Sequence, residues 1–102
     1  MTVEGSLAGR IALVTGASRG LGFEIARRMA EQGARVWLNG RGASAVEAAA
    51  ERIGPNARAL PFDIGDDQAS AAAFARLAED GLDILVNNVG QRDRRPLGQL
   101  RR

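Results

Sequence analysis

The 102-residue sequence predicts an α/β fold, in which short apolar strands alternate with amphipathic helices around a parallel sheet. The first observation is an apolar run, residues 11–14, that leads directly into three spaced glycines. The second is a helical pattern after those glycines, with Leu21, Ile25 and Met29 on one face. The third is another apolar run, residues 36–38, after the next glycine. Together these features predict a βαβ unit.

The connection inside this unit has the spacing Gly-x-x-x-Gly-x-Gly. Gly16 can adopt backbone angles that a Cβ would forbid, and Gly20 lets the main chain approach a ligand closely. Gly22 lies one turn into the helix and forms, with Ala26 and Ala30, a stripe of small residues that lets the helix lie close to the sheet. The N–H groups and the dipole of the helix would then face a pyrophosphate. The alternative is an ordinary turn marked by glycines. A Walker-type loop is excluded because the sequence contains no lysine.

The elements of the first half follow from their end signals. Residues 1–9 are polar and contain glycine, so we expect a flexible lead-in. The first strand is predicted over residues 10–15 and the first helix over residues 20–32. Gly33 suits a left-handed cap at the end of that helix. The second strand is predicted over residues 35–38.

A capping box marks the second helix. Ser44 is the predicted N-cap, Glu47 stands three residues later, and the helix should end before Gly54. A short third strand is predicted over residues 57–61.

The last two elements complete the topology. The third helix is predicted over residues 66–79, with Phe74 and Leu77 buried. The fourth strand, residues 82–86, is mostly apolar, as expected for a strand covered on both faces. Right-handed crossovers with a switch after strand one give β-α-β-α-β-α-β with strand order 3-2-1-4. Residues 10–90 are therefore expected to form part of a Rossmann-like, doubly wound parallel sheet.

Three motifs resemble one family. Residues 15–22 read Thr-Gly-Ala-Ser-Arg-Gly-Leu-Gly, and residues 87–90 read Asn-Asn-Val-Gly. The chain resembles the short-chain dehydrogenase/reductase family, whose signatures are Thr-Gly-x-x-x-Gly-x-Gly and Asn-Asn-Ala-Gly. Val89 departs from the second signature. Asp63 matches the family aspartate that meets the adenine. The resemblance implies the N-terminal, cofactor-binding half of such an oxidoreductase.

The resemblance implies a nicotinamide cofactor as the ligand. The predicted cofactor-binding residues are Gly16, Ser18, Arg19, Gly20, Leu21, Gly22, Arg41, Asp63, Ile64, Asn87, Asn88, Val89 and Gly90. From the residues alone, Asn87 and Asn88 would bridge neighbouring strands, contact a nucleotide or close an Asx turn. Asp63 could equally be a turn or capping carboxylate before Gly65.

Charge favours NADP over NAD. NAD-preferring enzymes place an acid about 20 residues beyond the glycine loop to bind the ribose 2′-OH. Here the end of strand two reads Asn39-Gly40-Arg41, without an acid. Arg41 offers donors suited to the 2′-phosphate of NADP, and Arg19 could approach that phosphate from the other side. Singly, each arginine could also be a solvated surface charge.

We predict no catalytic residue within this sequence. The family's chemistry on an alcohol/carbonyl pair implies a serine and a Tyr-x-x-x-Lys pair, but the sequence contains no tyrosine and no lysine. Ser6, Ser18 and Ser44 fall in the lead-in, the glycine loop and the predicted helix cap, so none is a candidate. We expect a truncated part of a longer enzyme. The alternative is a stand-alone nucleotide-binding or interaction module without catalysis.

Composition excludes several other functions. Cysteine and histidine are absent, which argues against a metal site. No segment approaches a membrane span or a secretory signal, so we expect no membrane partner and a cytoplasmic location. Residues 91–102 are rich in arginine but lack aromatics to stack bases, so we expect an irregular tail and no nucleic-acid partner. The complete protein is expected to be a homo-oligomer.

Overall fold

The computed structural model describes residues 6–88 of the chain. Within that part, no helix combines the length and the apolar character needed to cross a membrane. The elements in chain order are β1 (Ile11–Val14), α1 (Gly20–Glu31), β2 (Arg35–Leu38), α2 (Ala43–Ile53), β3 (Ala57–Ala59), α3 (Asp67–Asp80) and β4 (Ile84–Val86). The predicted alternation of strands and helices is confirmed.

The strands form one parallel sheet of order β3-β2-β1-β4, as predicted. In the register, Val14 at the end of β1 lies beside Leu38 of β2 and Val86 of β4. Leu38 in turn lies beside Ala59 of β3. All four strands therefore end at the same edge of the sheet, and the connections that follow them lie next to one another.

The core lies between the sheet and the helices α1 and α2. Val36 and Leu38 of β2 are almost fully buried in it, together with Val46 of α2. Burying a side chain of this size contributes about 1.5–3 kcal/mol. The small-residue stripe of α1 is buried as expected, and its narrow surface lets the aromatic ring of Phe23 join the same core.

Helix α2 begins earlier than its predicted cap. Gly42 is the N-cap residue, and its carbonyl accepts the first helical bond from the N–H of the buried Val46, at 3.0 Å. Ser44 is therefore the second residue of the helix and is exposed. The predicted capping box with Glu47 is wrong because the first helical bond already forms at Gly42, which places Ser44 inside the first turn.

Helix α3 has the side-chain cap that α2 lacks. The carboxylate of Asp66 accepts hydrogen bonds from the N–H groups of Gln68 and Ala69, at 3.0 and 3.1 Å. Gly81 ends the helix in the left-handed conformation, with φ 86°. Leu77 is buried as predicted, whereas Phe74 is only half-buried.

Strands β1, β3 and β4 are shorter than predicted, while β2 has its predicted bounds. Beyond β3, the N–H of Leu60 still donates to Leu38 and that of Phe62 to Gly40, so hydrogen bonding to the end of β2 continues past the strand. Before β4, the side chain of Asp83 accepts the N–H of Ile11 at 2.9 Å. The backbone N–H of Asp83 still donates to the carbonyl of Ile11 at 2.8 Å, so the side chain replaces only the backbone acceptor for the Ile11 N–H.

The prediction that both faces of β4 are covered is wrong for residues 6–88. In this part of the chain β4 pairs with β1 alone, and 51% of the surface of Leu85 is exposed. An apolar strand sequence indicates a buried environment, but other elements must supply the cover.

Part of the predicted lead-in contacts the domain. The N–H of Leu7 donates to the carbonyl of Gln32 at 2.9 Å, and the hydroxyl of Ser6 donates to the side chain of Gln32 at 2.6 Å. Leu7 also packs against the core. Residues 6–9 are thus held at the end of α1, which differs from the flexible segment expected. Residues 1–5, and the predicted tail 91–102, lie outside the described residues.

The two helix starts provide a test of the capping difference. Asp66→Ala removes two hydrogen bonds to the first turn of α3 and should lower the free energy of unfolding by about 1 kcal/mol. Ser44→Ala is the matched control, and it should be neutral or slightly stabilising because alanine is the better helix former inside α2. Urea denaturation measures both. A larger loss for Ser44→Ala than for Asp66→Ala would contradict the observed helix boundaries.

Candidate functional site

An open cleft of about 600 Å³ lies at the edge of the sheet where β1, β2 and β3 end. It is lined by Gly16, Ser18, Arg19, Asn39, Gly40, Arg41, Ala45, Phe62, Asp63, Ile64 and Gly65. Six of the predicted site residues belong to this lining. Gly20, Leu21 and Gly22 form the adjoining first turn of α1, while Asn87 and Asn88 follow β4. Val89 and Gly90 lie outside the described residues.

The turn between β1 and α1 uses glycine where the backbone requires it. Gly16 and Gly20 have positive φ angles of 59° and 65°, a region in which other residues are strained. In the same turn, the N–H of Ala17 donates to the carbonyl of Asn39 at 2.8 Å. The turn is therefore bonded to the end of β2 as well as to its own strand.

Gly22 provides room for the turn itself. A Cβ at this position would lie 2.2 Å from the carbonyl oxygen of Gly16 and 2.8 Å from Nδ2 of Asn88. We expected Gly22 chiefly to bring the helix close to the sheet. Its closest neighbours are instead the backbone of the glycine turn and a side chain that follows β4.

The start of α1 is open to an anion. Arg19 is the N-cap residue, its side chain makes no capping hydrogen bond, and the first turn contains no acidic residue. The N–H groups of Gly20, Leu21 and Gly22 have no acceptor within the helix, because the ladder of i→i−4 bonds begins only after them. Leu21 also leaves 57% of its surface exposed beside this turn. The site combines free donors with the positive end of the helix dipole.

Thr15, Asn87 and Asn88 connect the end of β4 to the glycine turn. The hydroxyl of Thr15 donates to Oδ1 of Asn87 at 3.1 Å and accepts the N–H of Asn88 at 2.8 Å. Nδ2 of Asn88 donates to the carbonyl of Gly16 at 3.1 Å. Of the alternatives that the sequence left open, bridging between neighbouring strands is the one observed.

Positive charge predominates along the cleft. Arg19 and Arg41 are both exposed, and neither makes an ion pair with any residue between 6 and 88. Arg27 shows the contrast on the outer face of α1, where it pairs with Glu24 at 2.6 Å; that hydrogen bond lowers the pKa of the Glu24 carboxyl. Asp63 is the one acidic residue in the cleft lining.

Asp63 occupies a turn at the edge of the cleft. Its Oδ1 accepts the N–H of Gly65 at 2.9 Å, and its carbonyl accepts the N–H of Asp66 at 2.9 Å. The turn carboxylate considered from the sequence is therefore observed. A contact of Asp63 with adenine stays a prediction, and so does the ligand contact of every other predicted site residue.

Sequence reasoning missed three features of the cleft. Asn39 is 1% exposed, and a polar residue directly after an apolar strand was the available signal. A Cβ at Gly40 would lie 2.7 Å from Cγ2 of Val46, which explains the glycine there. Ser70 was overlooked; its hydroxyl donates to the carbonyl of Ile64 at 3.1 Å and so holds one side of the cleft.

Gly22→Ala tests the close approach at the glycine turn. The added methyl group would collide with the carbonyl of Gly16, so we expect the free energy of unfolding to fall by about 1–3 kcal/mol or more. Gly42→Ala is the matched control, since a Cβ there would find its nearest neighbour at 3.9 Å. The control should change stability by no more than about 0.5 kcal/mol. Equal stability of the two variants in urea denaturation would contradict the contact.

Comparison with known proteins identifies relatives that match most of this chain. The family model described as short chain dehydrogenase matches residues 10–102. The chain is 42% identical over 102 aligned positions to "Gluconate 5-dehydrogenase" of Gluconobacter oxydans, covering 95% of this chain and 40% of that protein. It is 44% identical over 82 positions to "Probable NADP-dependent dehydrogenase in aabA 3'region" of Dichelobacter nodosus, covering 78% and 77% respectively.

A solved structure has a similar fold over most of this chain. The "Pseudomonas aeruginosa RhlG/NADP active-site complex" is 44% identical and superposes with a TM-score of 0.75, covering 86% of this chain and 37% of that one. The chain thus spans well under half the length of this structure and of the gluconate 5-dehydrogenase. The family match, the strand order and the glycine turn agree, and the chain belongs to the short-chain dehydrogenase/reductase family.

Proposed function

We propose that this chain is the NADP(H)-binding portion of an oxidoreductase that acts on an alcohol/carbonyl pair. The observation that carries the proposal is that Arg19 and Arg41, which have no ion-pair partner among residues 6–88, line a cleft beside a helix start with no side-chain cap. Bound there, the nicotinamide cofactor would supply or accept a hydride. The chain's own residues would bind and orient it.

The start of α1 suits the pyrophosphate. Its first-turn N–H groups would donate to phosphate oxygens, and the dipole of the helix would favour the negative charge. A Cβ at Gly20 would meet no atom within 4 Å, so the backbone at the helix start is accessible at short range. This part of the proposal concerns phosphate alone and fits NAD and NADP equally.

The arginines favour the additional phosphate of NADP. A guanidinium presents several donors in one plane, and two such groups without a carboxylate partner in the described part of the chain suit a dianionic 2′-phosphate. An acid would be the partner of a free ribose 2′-OH, and the end of β2 contains Asn39 and Gly40 instead. The Dichelobacter relative is named as NADP-dependent, and the Pseudomonas structure is a complex with NADP, so both support this choice.

The side of the cleft beyond β3 suits the adenine. Phe62 and Ile64 offer apolar surface. The carboxylate of Asp63, between them in the chain, could accept a hydrogen bond from the amino group of adenine. Edge-to-face packing of Phe62 on Phe74, with ring centroids 6.3 Å apart, helps to fix this side of the cleft.

The chemical step requires groups that these 102 residues do not include, since they contain no tyrosine and no lysine. We therefore assign cofactor binding to this chain, and we assign proton transfer and substrate recognition to further parts of a longer protein. A stand-alone nucleotide-binding module would have the same cleft, so the two proposals differ in catalysis and agree on the ligand. The cytoplasmic location and the homo-oligomeric state stay predictions.

Arg41→Asp tests the choice of cofactor. The variant removes one charge-assisted contact and adds a charge that repels phosphate, so the preference for NADP over NAD should fall by about tenfold or more. Isothermal titration with both cofactors measures it. Arg58→Asp makes the same change on an exposed arginine of β3 that is not among the cleft-lining residues, and it should leave the ratio unchanged. An unchanged ratio for Arg41→Asp would remove Arg41 as the selecting residue.

A further inference from the structure

We propose that Asn39 is a positioning residue that joins the two sides of the cleft. The inference rests on the proposed function, because it concerns how the same cleft is held in shape for its cofactor. It assigns a role to a residue that is buried and that the sequence motifs do not include.

The side chain of Asn39 is directed toward the chain that follows β3. Its Nδ2 donates to the carbonyl of Phe62 at 2.9 Å and to the carbonyl of Leu60 at 3.3 Å. Only 1% of the residue is exposed, so water cannot replace these bonds without opening the structure. Both bonds require a donor, and the amide of asparagine supplies two N–H groups.

The backbone of Asn39 binds the other side of the cleft. Its N–H donates to the carbonyl of Val14 at 2.9 Å, and its carbonyl accepts the N–H of Ala17 at 2.8 Å. One residue therefore connects the glycine turn, through its main chain, to the adenine side, through its side chain. These four bonds add to the backbone bonds from Leu60 to Leu38 and from Phe62 to Gly40, which also hold the adenine side to β2.

An aspartate at this position would have the wrong hydrogen-bonding character. A carboxylate accepts and does not donate, so it would face two carbonyl oxygens in a buried place. Burying an unpaired charge beside two acceptors is costly, and the side chain would either protonate or break away from the adenine side. An aspartate at position 39 would therefore disturb the bonds that hold the adenine side of the cleft to the glycine turn.

The variant Asn39→Asp keeps the shape of the side chain and removes its donors. We expect the dissociation constants of NADP and NAD to rise together by about tenfold or more, with no gain in NAD affinity. Hydrogen-exchange protection of the Phe62 N–H, which donates to Gly40, should fall at neutral pH. Burial should raise the pKa of the new carboxyl above its value in the unfolded chain. The variant should therefore lose stability as pH rises through that pKa. In acid the protonated carboxyl can donate one hydrogen bond, so stability should recover.

Asn56→Asp is the matched control. Asn56 also donates from Nδ2 to a carbonyl, that of Ala30 at 3.2 Å, but it is exposed and lies outside the cleft lining. Its variant should leave both dissociation constants and the Phe62 protection unchanged. If Asn39→Asp does not fold, Asn39→Ser replaces it in the test. This variant retains one neutral donor, so it should fold and give intermediate hydrogen-exchange protection at the Phe62 N–H.

The outcomes separate the inference from the proposed function. Tighter NAD binding by Asn39→Asp than by the unchanged chain would overturn the inference, while NADP binding by the unchanged chain would still support the function. If the unchanged chain bound neither cofactor, the proposed function would fail, and the exchange measurement would still decide the positioning role. Wild-type protection of Phe62 in both Asn39 variants would overturn that role.

Discussion

The turn that follows β1 is held by hydrogen bonds from both neighbouring strands, and the candidate site depends on this arrangement. On one side, the N–H of Thr15 donates to Val86 at 3.0 Å and Asn88 donates to Gly16. On the other side, the N–H of Ala17 donates to Asn39 at 2.8 Å. Each such bond contributes about 0.5–1.5 kcal/mol net, so the turn has support well beyond its own residues. The start of α1 is thereby placed at a fixed point of the sheet edge.

Two glycines make this support possible at close range. Gly16 takes the positive φ that the turn needs, and Gly22 leaves space for the Gly16 carbonyl. Because that carbonyl also accepts the Asn88 bond, helix, turn and β4 meet at a single backbone group. The position of the helix start and its bonding to the neighbouring strands are thus consequences of the same residue choices.

The sequence predicts those parts of the fold that depend on local pattern and chain topology. Strand order follows from crossover handedness, and the glycine turn follows from backbone freedom, so both are confirmed. Ser44 has the right residue type for a cap, but the carbonyl of Gly42 accepts the first helical bond, so α2 begins earlier. The role of Asn39 depends on carbonyls more than 20 residues away in the chain. A local sequence pattern cannot predict such long-range partners. It also cannot predict whether other elements cover the faces of β4.

The most direct test of the cofactor site is amide hydrogen exchange of the chain with and without NADP, because it reports where the cofactor binds. We expect slower exchange at the first-turn N–H groups of α1, Leu21 and Gly22, together with residues 62–65 on the adenine side. The outer face of α1 around Glu24 and Arg27 should be unaffected. Protection elsewhere on the chain, with the first turn of α1 unchanged at saturating NADP, would contradict the assignment of this cleft as the cofactor site.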